Sequence, residues 1–397
     1  MSSLKVLYNH RIASRDGQSV HIDEIIRALK EQGHEVTLIS PDMGEAQDFG
    51  DDGGFVSRLK QSLPKFVYEL MEFAYSGLIA IKLAKSIRAN RPDVIYERFN
   101  LYQPAGVLIS KVFKIPLILE VNAPLKEERE RFCGGLAMPW LAKKIENWTW
   151  RNADHVLPVT NVLADHLRNA NVPETKITVI HNGIRQTALD EFAKRVPQVD
   201  ETITIGFVGF MNLTCGLDKA IDMIAEHQDK PLRLLCVGNG DVVDELKEQA
   251  ERLGVLDKIE FTGLVTREEV FAHMKRFDIA LQPDVTAYAS PLKMFEYMVV
   301  KSLIVAPRVP NICEILDDDC AILFDNKKAG AFEEALTLAV EEFAQHQRKR
   351  EAAFTRLIKN DFIWQRNSEK IIGIARSLRG ETTEPLERKP SSISNPE

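Results

Sequence analysis

The chain has 397 residues, 45% of them hydrophobic and 27% charged, an ordinary globular composition with room for two domains that each bury a core. A formal net charge of −7 argues against a general nucleic-acid binder, and residues 1–190 are near balance (24 basic, 23 acidic), so the acidity belongs to the remainder. Cys133, Cys215, Cys236, Cys313 and Cys320 have neither metal-ligand spacing nor the density of a disulfide scaffold, and they read as reduced structural thiols.

The first predicted element is the strand Leu4–Tyr8, with no leader pattern before it, and no apolar run reaches the roughly 18 residues of a spanning helix. The expected location is therefore the cytoplasm, extending to a peripheral place on the inner face of the cytoplasmic membrane. The polar loop Asn9–Ser19 follows at the carboxyl end of the strand. Gly17 there either lets the backbone approach a ligand or simply opens the next helix, whose stripe is Ile22, Ile25, Ile26 and Leu29. Gly33 stops that helix and Glu35–Ile39 is the next strand. Residues 58–91 hold Arg58, Lys60, Lys65, Lys82, Lys85, Arg88 and Arg91 against only Glu69 and Glu72, interleaved with aromatic and aliphatic side chains. Such a segment suits an anionic membrane surface, or a helix packed on a sheet with a solvated basic face.

Further strands are expected at 94–96, 116–120, 154–159 and 176–180, alternating with helices, which implies a parallel sheet covered on both faces. Glu120 and Asn122 lie at the end of one of these strands and are candidates to orient an acceptor; Asp16 or Glu120 as a covalent nucleophile is the lesser alternative. Residues 186–201 read as a polar linker. The alternation then restarts with strands at 202–208, 232–237, 259–262, 279–281, 304–306 and 321–324, and Gly238 closes the second of them. The carboxylate run Asp317–Asp319 reads as a solvated loop rather than a metal site. From about Gly380 the chain is polar and proline-rich, and it is expected to be disordered.

The sharpest motif is Ser290-Pro291-Leu292-Lys293-Met294-Phe295-Glu296-Tyr297-Met298. Pro291 suits a first helical turn, whose free N–H groups and positive dipole end make an anion site around Ser290, Pro291 and Leu292. Lys293 adds a cation, and Glu296, nearly a turn later, can accept hydrogen bonds from ribose hydroxyls. Phosphate donors followed by a sugar-reading carboxylate describe a nucleoside-diphosphate pocket.

This motif, together with 152–160, Lys176–Ile184, Ile205–Gly209 and Phe362–Arg366 in that order, resembles the family 4 glycosyltransferases, in a Ser-Pro-x-Lys-x-Phe-Glu-Tyr-Met subgroup. The resemblance implies the α/β GT-B fold: two Rossmann-like domains facing across a cleft, here 1–190 on the acceptor side and 200–360 for the donor. It also implies a last helix, 361–379, crossing back to the first domain, ahead of the tail 380–397. The implied activity is transfer of a sugar from a nucleotide-diphosphate sugar, with retained configuration, by front-face attack and without metal or other cofactor. The implied acceptor is a saccharide or lipid-linked molecule in polysaccharide or glycoconjugate synthesis. Glu296, Lys293, Asn122 and Glu120 are the implied catalytic set, with Gly17, Gly209, Ser290, Pro291, Leu292 and Gly238 around the donor.

Three positions depart from the family pattern. Phe210 and Cys215 stand where the donor loop usually carries Arg and Lys, and Tyr288 replaces the first of two glutamates. Lys293, Arg308, Lys219 and Arg11 are the nearest cations that could compensate. The departures also fit a non-catalytic relative that binds a nucleotide or a partner enzyme, and a nucleotide-sugar epimerase ranks third.

Overall fold

The computed structural model describes residues 2–13, 17–41, 63–132, 134–196 and 201–381. Asp16, Arg58, Lys60, Cys133 and the tail beyond 381 lie outside the described residues. The chain divides into two units, each described by itself.

The first unit takes the described residues of Met1–Asn182, Tyr288–Ser290 and Trp364–Pro390. Its elements run β1 (Lys5–Asn9), α1 (Gly17–Glu31), β2 (Glu35–Ile39), α2 (Lys65–Ala89), β3 (Val94–Arg98), α3 (Ala105–Phe113), β4 (Leu117–Val121), α4 (Leu125–Phe132), α5 (Pro139–Asn152), β5 (His155–Pro158) and α6 (Asn161–Asn169). All five strands are parallel in the order β2-β1-β3-β4-β5. Side chains alternate between the faces of this sheet. Leu7, Ile95, Leu117 and Leu119 pack with Ile79, Leu83 and Ile87 of α2 and Trp150 of α5. The register Tyr8↔Tyr96 sends the other set to the opposite face, where the two rings meet edge to face at 4.9 Å.

The second unit takes Gly183–Ala287 and Pro291–Ile363. It contains α7 (Gln186–Ala193), β6 (Ile203–Val208), α8 (Leu217–Glu226), β7 (Leu232–Val237), α9 (Val243–Arg252), β8 (Ile259–Phe261), α10 (Arg267–Met274), β9 (Ile279–Leu281), α11 (Leu292–Val299), β10 (Leu303–Pro307), α12 (Pro310–Cys313), β11 (Ile322–Phe324), α13 (Ala331–Glu341) and α14 (Gln347–Lys359). Its parallel sheet runs β11-β10-β9-β6-β7-β8, so the strand order reverses between β6 and β9. One face packs Ile205, Phe207 and Val305 against α8, α9 and α13; the other packs Leu235, Ala280 and Ile304 against α11 and α14. Burial on both faces explains why these strands are near-continuous apolar runs. The last helix, α15 (Trp364–Leu378), returns to the first unit, where Ile371, Ile372 and Ala375 are buried and Gln32 Nε2 of the turn after α1 donates to the Gln365 carbonyl at 2.7 Å.

Two expectations need correction. Residues 176–180 form no ladder strand: Ile177 makes an isolated bridge to Val156, and Thr178 and Ile180 donate to the carbonyls of Val156 and Pro158. The expected linker opens with α7, because Leu189 and Phe192, spaced i and i+3, are buried against the second unit's core.

Candidate functional site

Ligands of open α/β sheets bind beyond the carboxyl ends of the strands where the order reverses, which in the second unit means β6 and β9. The loops there are tightly made. Gly209 has φ +135° and its N–H bonds the Val237 carbonyl; a Cβ on Gly238 would meet the Gly209 carbonyl oxygen at 2.3 Å. Gly238 is thus required by the contact between the two loops. Beyond Gly209, Phe210 and Leu213 are 60% and 88% exposed, whereas Cys215 is buried.

Helix α11 begins at Leu292 with Pro291 as its N-cap residue. Tyr297 fixes it to the sheet: its hydroxyl accepts the Val208 N–H at 3.1 Å and donates to the Leu281 carbonyl at 3.2 Å, joining β6 and β9 where their ladder ends. One turn earlier, the half-buried Lys293 lays its ammonium 4.2 Å from the centre of the Phe207 ring, and a Cβ on Gly209 would lie 3.3 Å from Nζ. Burial pushes the Lys293 ammonium down to about 8, against the pull of Cys215 and Glu296. No carboxylate pairs with it among the described residues. The other compensating cations are engaged: Arg308 with Asp318, Lys219 with Glu333 at 2.9 Å, and Arg11 with Glu72 at 3.2 Å.

Glu296 is 3% exposed and meets the guanidinium of Arg267, the first residue of α10. The two groups touch without hydrogen-bond alignment. Glu296 Oε1 is the oxygen that meets Arg267 Nη2, and neither it nor Arg267 Nε has an aligned hydrogen bond among the described residues. Arg267 also lies over the Phe271 ring at 5.1 Å. Sequence reading missed Arg267. The capping box of Thr266 and Glu269 marks where α10 starts, but nothing local pairs its first residue with a helix that follows β9 in the chain.

The first unit holds the remaining candidates. Gly17 opens α1. Glu120 is a hub: Oε1 accepts from Arg98 Nη1 at 2.7 Å and Asn122 Nδ2 at 2.6 Å, while Oε2 accepts from the Tyr96 hydroxyl at 2.6 Å and lies 3.1 Å from His21 Nε2. Burial alone would raise its titration, but His21, Arg98 and Tyr96 outweigh that and hold the carboxyl at about 2. A carboxylate saturated in this way orients its neighbours; Asn122, half-buried, is the one it turns toward the end of β4. The cavity beside it, lined by His21, Tyr96, Glu120, His181, Trp364 and Asn367, measures about 10 Å³, too small for a sugar. Ser290 is tied to Asn182, whose N–H reaches Oγ at 3.2 Å and whose Nδ2 reaches the carbonyl at 2.5 Å. Tyr288 donates to Glu128 at 2.7 Å and packs into the core of the first unit. Among the described residues no cluster of three or more His, Cys, Asp or Glu side chains could hold a metal ion.

Comparison with known proteins identifies the family and the fold. The model for Glycosyltransferase Family 4 matches residues 15–187 and that for Glycosyl transferases group 1 matches residues 202–342. The chain is a glycosyltransferase of GT-B fold. This glycosyltransferase is 23% identical over 372 residues to a glycogen synthase of Mycobacterium tuberculosis, covering 88% of each chain. It is 23% identical over 352 residues to the alpha-monoglucosyldiacylglycerol synthase of Streptococcus pneumoniae, covering 83% of this chain and 77% of that one. Among solved structures it superposes on a glycosyltransferase from Rickettsia africae with a TM-score of 0.69 at 17% identity, covering 96% of this chain and all of the other. Anabaena HepE in complex with UDP and glucose gives a TM-score of 0.65 at 16% identity, with 94% of this chain and all of the other covered.

Proposed function

We propose that this glycosyltransferase moves a sugar from a nucleoside-diphosphate donor to a saccharide or lipid-linked acceptor, with retention and without a metal. The observation that carries the donor assignment is Glu296. Its buried Oε1 has only the Arg267 guanidinium against it, without an aligned hydrogen bond, at the place where α/β sheets take nucleotides, and a ribose diol supplies hydroxyl donors to such a carboxylate. The α11 start and the uncommitted Lys293 ammonium, one turn from Glu296, then stabilise the diphosphate in place of the absent Arg and Lys clamp. In front-face attack the bond from the anomeric carbon to the diphosphate oxygen breaks as the acceptor oxygen bonds on the same face. The departing oxygen takes the acceptor's proton, and Asn122 and Glu120 orient that acceptor. Retention, metal independence and the peripheral membrane location assigned to residues 58–91 rest on the family resemblance and on the basic segment.

UDP-glucose heads the donor panel, because HepE binds UDP and glucose. Calorimetry should find Glu296→Ala weakening donor binding by about 2–3 kcal/mol, the range for a charge-assisted hydrogen bond. Unchanged affinity would remove the ribose assignment. The second reading is a nucleotide-binding relative without turnover, favoured by the exposed Phe210 and the buried Cys215 at the clamp positions. It requires that no nucleoside diphosphate be released from any donor in the presence of acceptor.

A further inference from the structure

Helix α2 is turned the wrong way round for a helix bathed in water. Its buried stripe is Glu69, Glu72, Ser76, Ile79, Leu83 and Ile87, so both of its carboxylates face inward. Glu69 accepts from the Tyr102 hydroxyl and from the N–H groups of Ala137 and Met138, while Glu72 is held by Arg129 and Arg11. Outward, at helical spacing, stand Phe66, Leu70, Phe73 and Ile81, with Leu78 beside them, between 42% and 56% exposed. Every exposed charge on α2 is positive: Lys65, Lys82, Lys85 and Arg88.

The neighbouring elements extend this surface. Helix α3, packed beside α2, exposes Leu108 and Val112 together with Lys111. The segment from the last residue of α4 to the second residue of α5 is pinned to the start of α2 by Lys65 on the Gly134 carbonyl, and the two residues at its ends, Phe132 and Trp140, are 64% and 66% exposed. The acids of α4 do not oppose the cations: Glu130 pairs with Lys126, Glu127 with Arg131, and Glu128 takes the Tyr288 hydroxyl. Of the sixteen large hydrophobic side chains exposed among the described residues, ten belong to α2, α3 and this segment. Exposed apolar surface on that scale, bordered by cations without carboxylate partners, marks an interaction face.

We infer that α2, α3 and the α4–α5 segment form a docking face for an anionic lipid bilayer, with the phenyl and aliphatic row entering the interface and Lys82, Lys85 and Arg88 meeting lipid phosphates. Charge complementarity selects this occupant, since a second copy of the same face would oppose cation to cation. The inference sharpens the membrane location proposed above and is independent of the donor assignment, because its readout involves no nucleotide.

The full chain is floated with phosphatidylglycerol–phosphatidylcholine vesicles and with pure phosphatidylcholine vesicles, at low and at high salt. Flotation with the anionic vesicles at low salt, released by salt, is expected. The triple variant Lys82→Gln, Lys85→Gln, Arg88→Gln should partition about 100-fold less, from the contribution of three cations at an anionic surface. Phe73→Ser with Leu78→Ser should lower binding at both salt concentrations, and its exposed positions leave thermal unfolding near that of the parent. No flotation with anionic vesicles, equal flotation with neutral ones, or an unimpaired triple variant would each overturn the proposal. So would a parent dimer that ignores vesicles and dissociates in Phe73→Ser with Leu78→Ser.

Discussion

Lys293 is a cation kept in reserve. A surface lysine stays charged far above neutrality, but burial brings this one down to about 8, and the Phe207 ring holds its ammonium beside the loop at Gly209. Affinity for a nucleoside diphosphate should therefore fall as pH rises through about 8, where the ammonium loses its proton. Lys293→Arg should flatten that fall; a parent titration with no step in this range would show that Lys293 does not meet the phosphates. Arg267 calls for a different test, since it acts through Glu296. Arg267→Gln should raise the donor KM about 10-fold with a much smaller change in kcat, and Arg267→Lys should recover part of it. A kcat loss at unchanged KM would exclude that positioning role. Lys293 and Glu296 were legible because Ser-Pro-x-Lys announces a helix start and helical spacing puts the carboxylate one turn on. Arg267 was not, because its partner lies on another element and no periodicity links them.

At the scale of elements, reading succeeded wherever an apolar run was bounded by glycine or proline. Among the described residues, the eleven strands of the two sheets all fall within or beside the expected segments. It failed where length and polarity misled. Residues 176–180 look like a strand, but Pro173 and the turn after it leave only Ile177 in bridge position. Residues 186–193 look like linker because only Leu189 and Phe192 carry the buried face. Helix α2 is the hardest case. A basic segment rich in apolar residues was evident, yet the inward turn of Glu69 and Glu72 depends on Tyr102, Arg129 and backbone donors far away in the chain. Buried carboxylates with distant partners cannot be read from spacing, and they decided which side of the helix faces solvent.

For the molecule as a whole, pH dependence of stability should be set partly by carboxyls the reaction does not use. Glu97 is pushed up to about 7 by burial, partly offset by Asn9, and Glu146 reaches about 7 for the same first cause. Their folded-state pKa lies above the unfolded value, so the folded chain binds more protons between the two. Their contribution is complete below the ordinary carboxyl range and is lost as pH rises through about 7. Glu97→Gln keeps an acceptor for Asn9 and should stabilise the protein above neutrality by about 1–3 kcal/mol. Denaturant midpoints measured on either side of pH 7 would reveal this, and an equal effect at acid pH would rule out titration as its source.

The hydroxyl of Tyr297 has a consequence for how the enzyme meets its donor. Because that one oxygen rivets α11 to two strands at once, the floor of the proposed donor site is set when the chain folds, before any substrate arrives. The stretch that begins at Gly209 has no such rivet among the described residues at its tip, where Phe210 and Leu213 stand exposed.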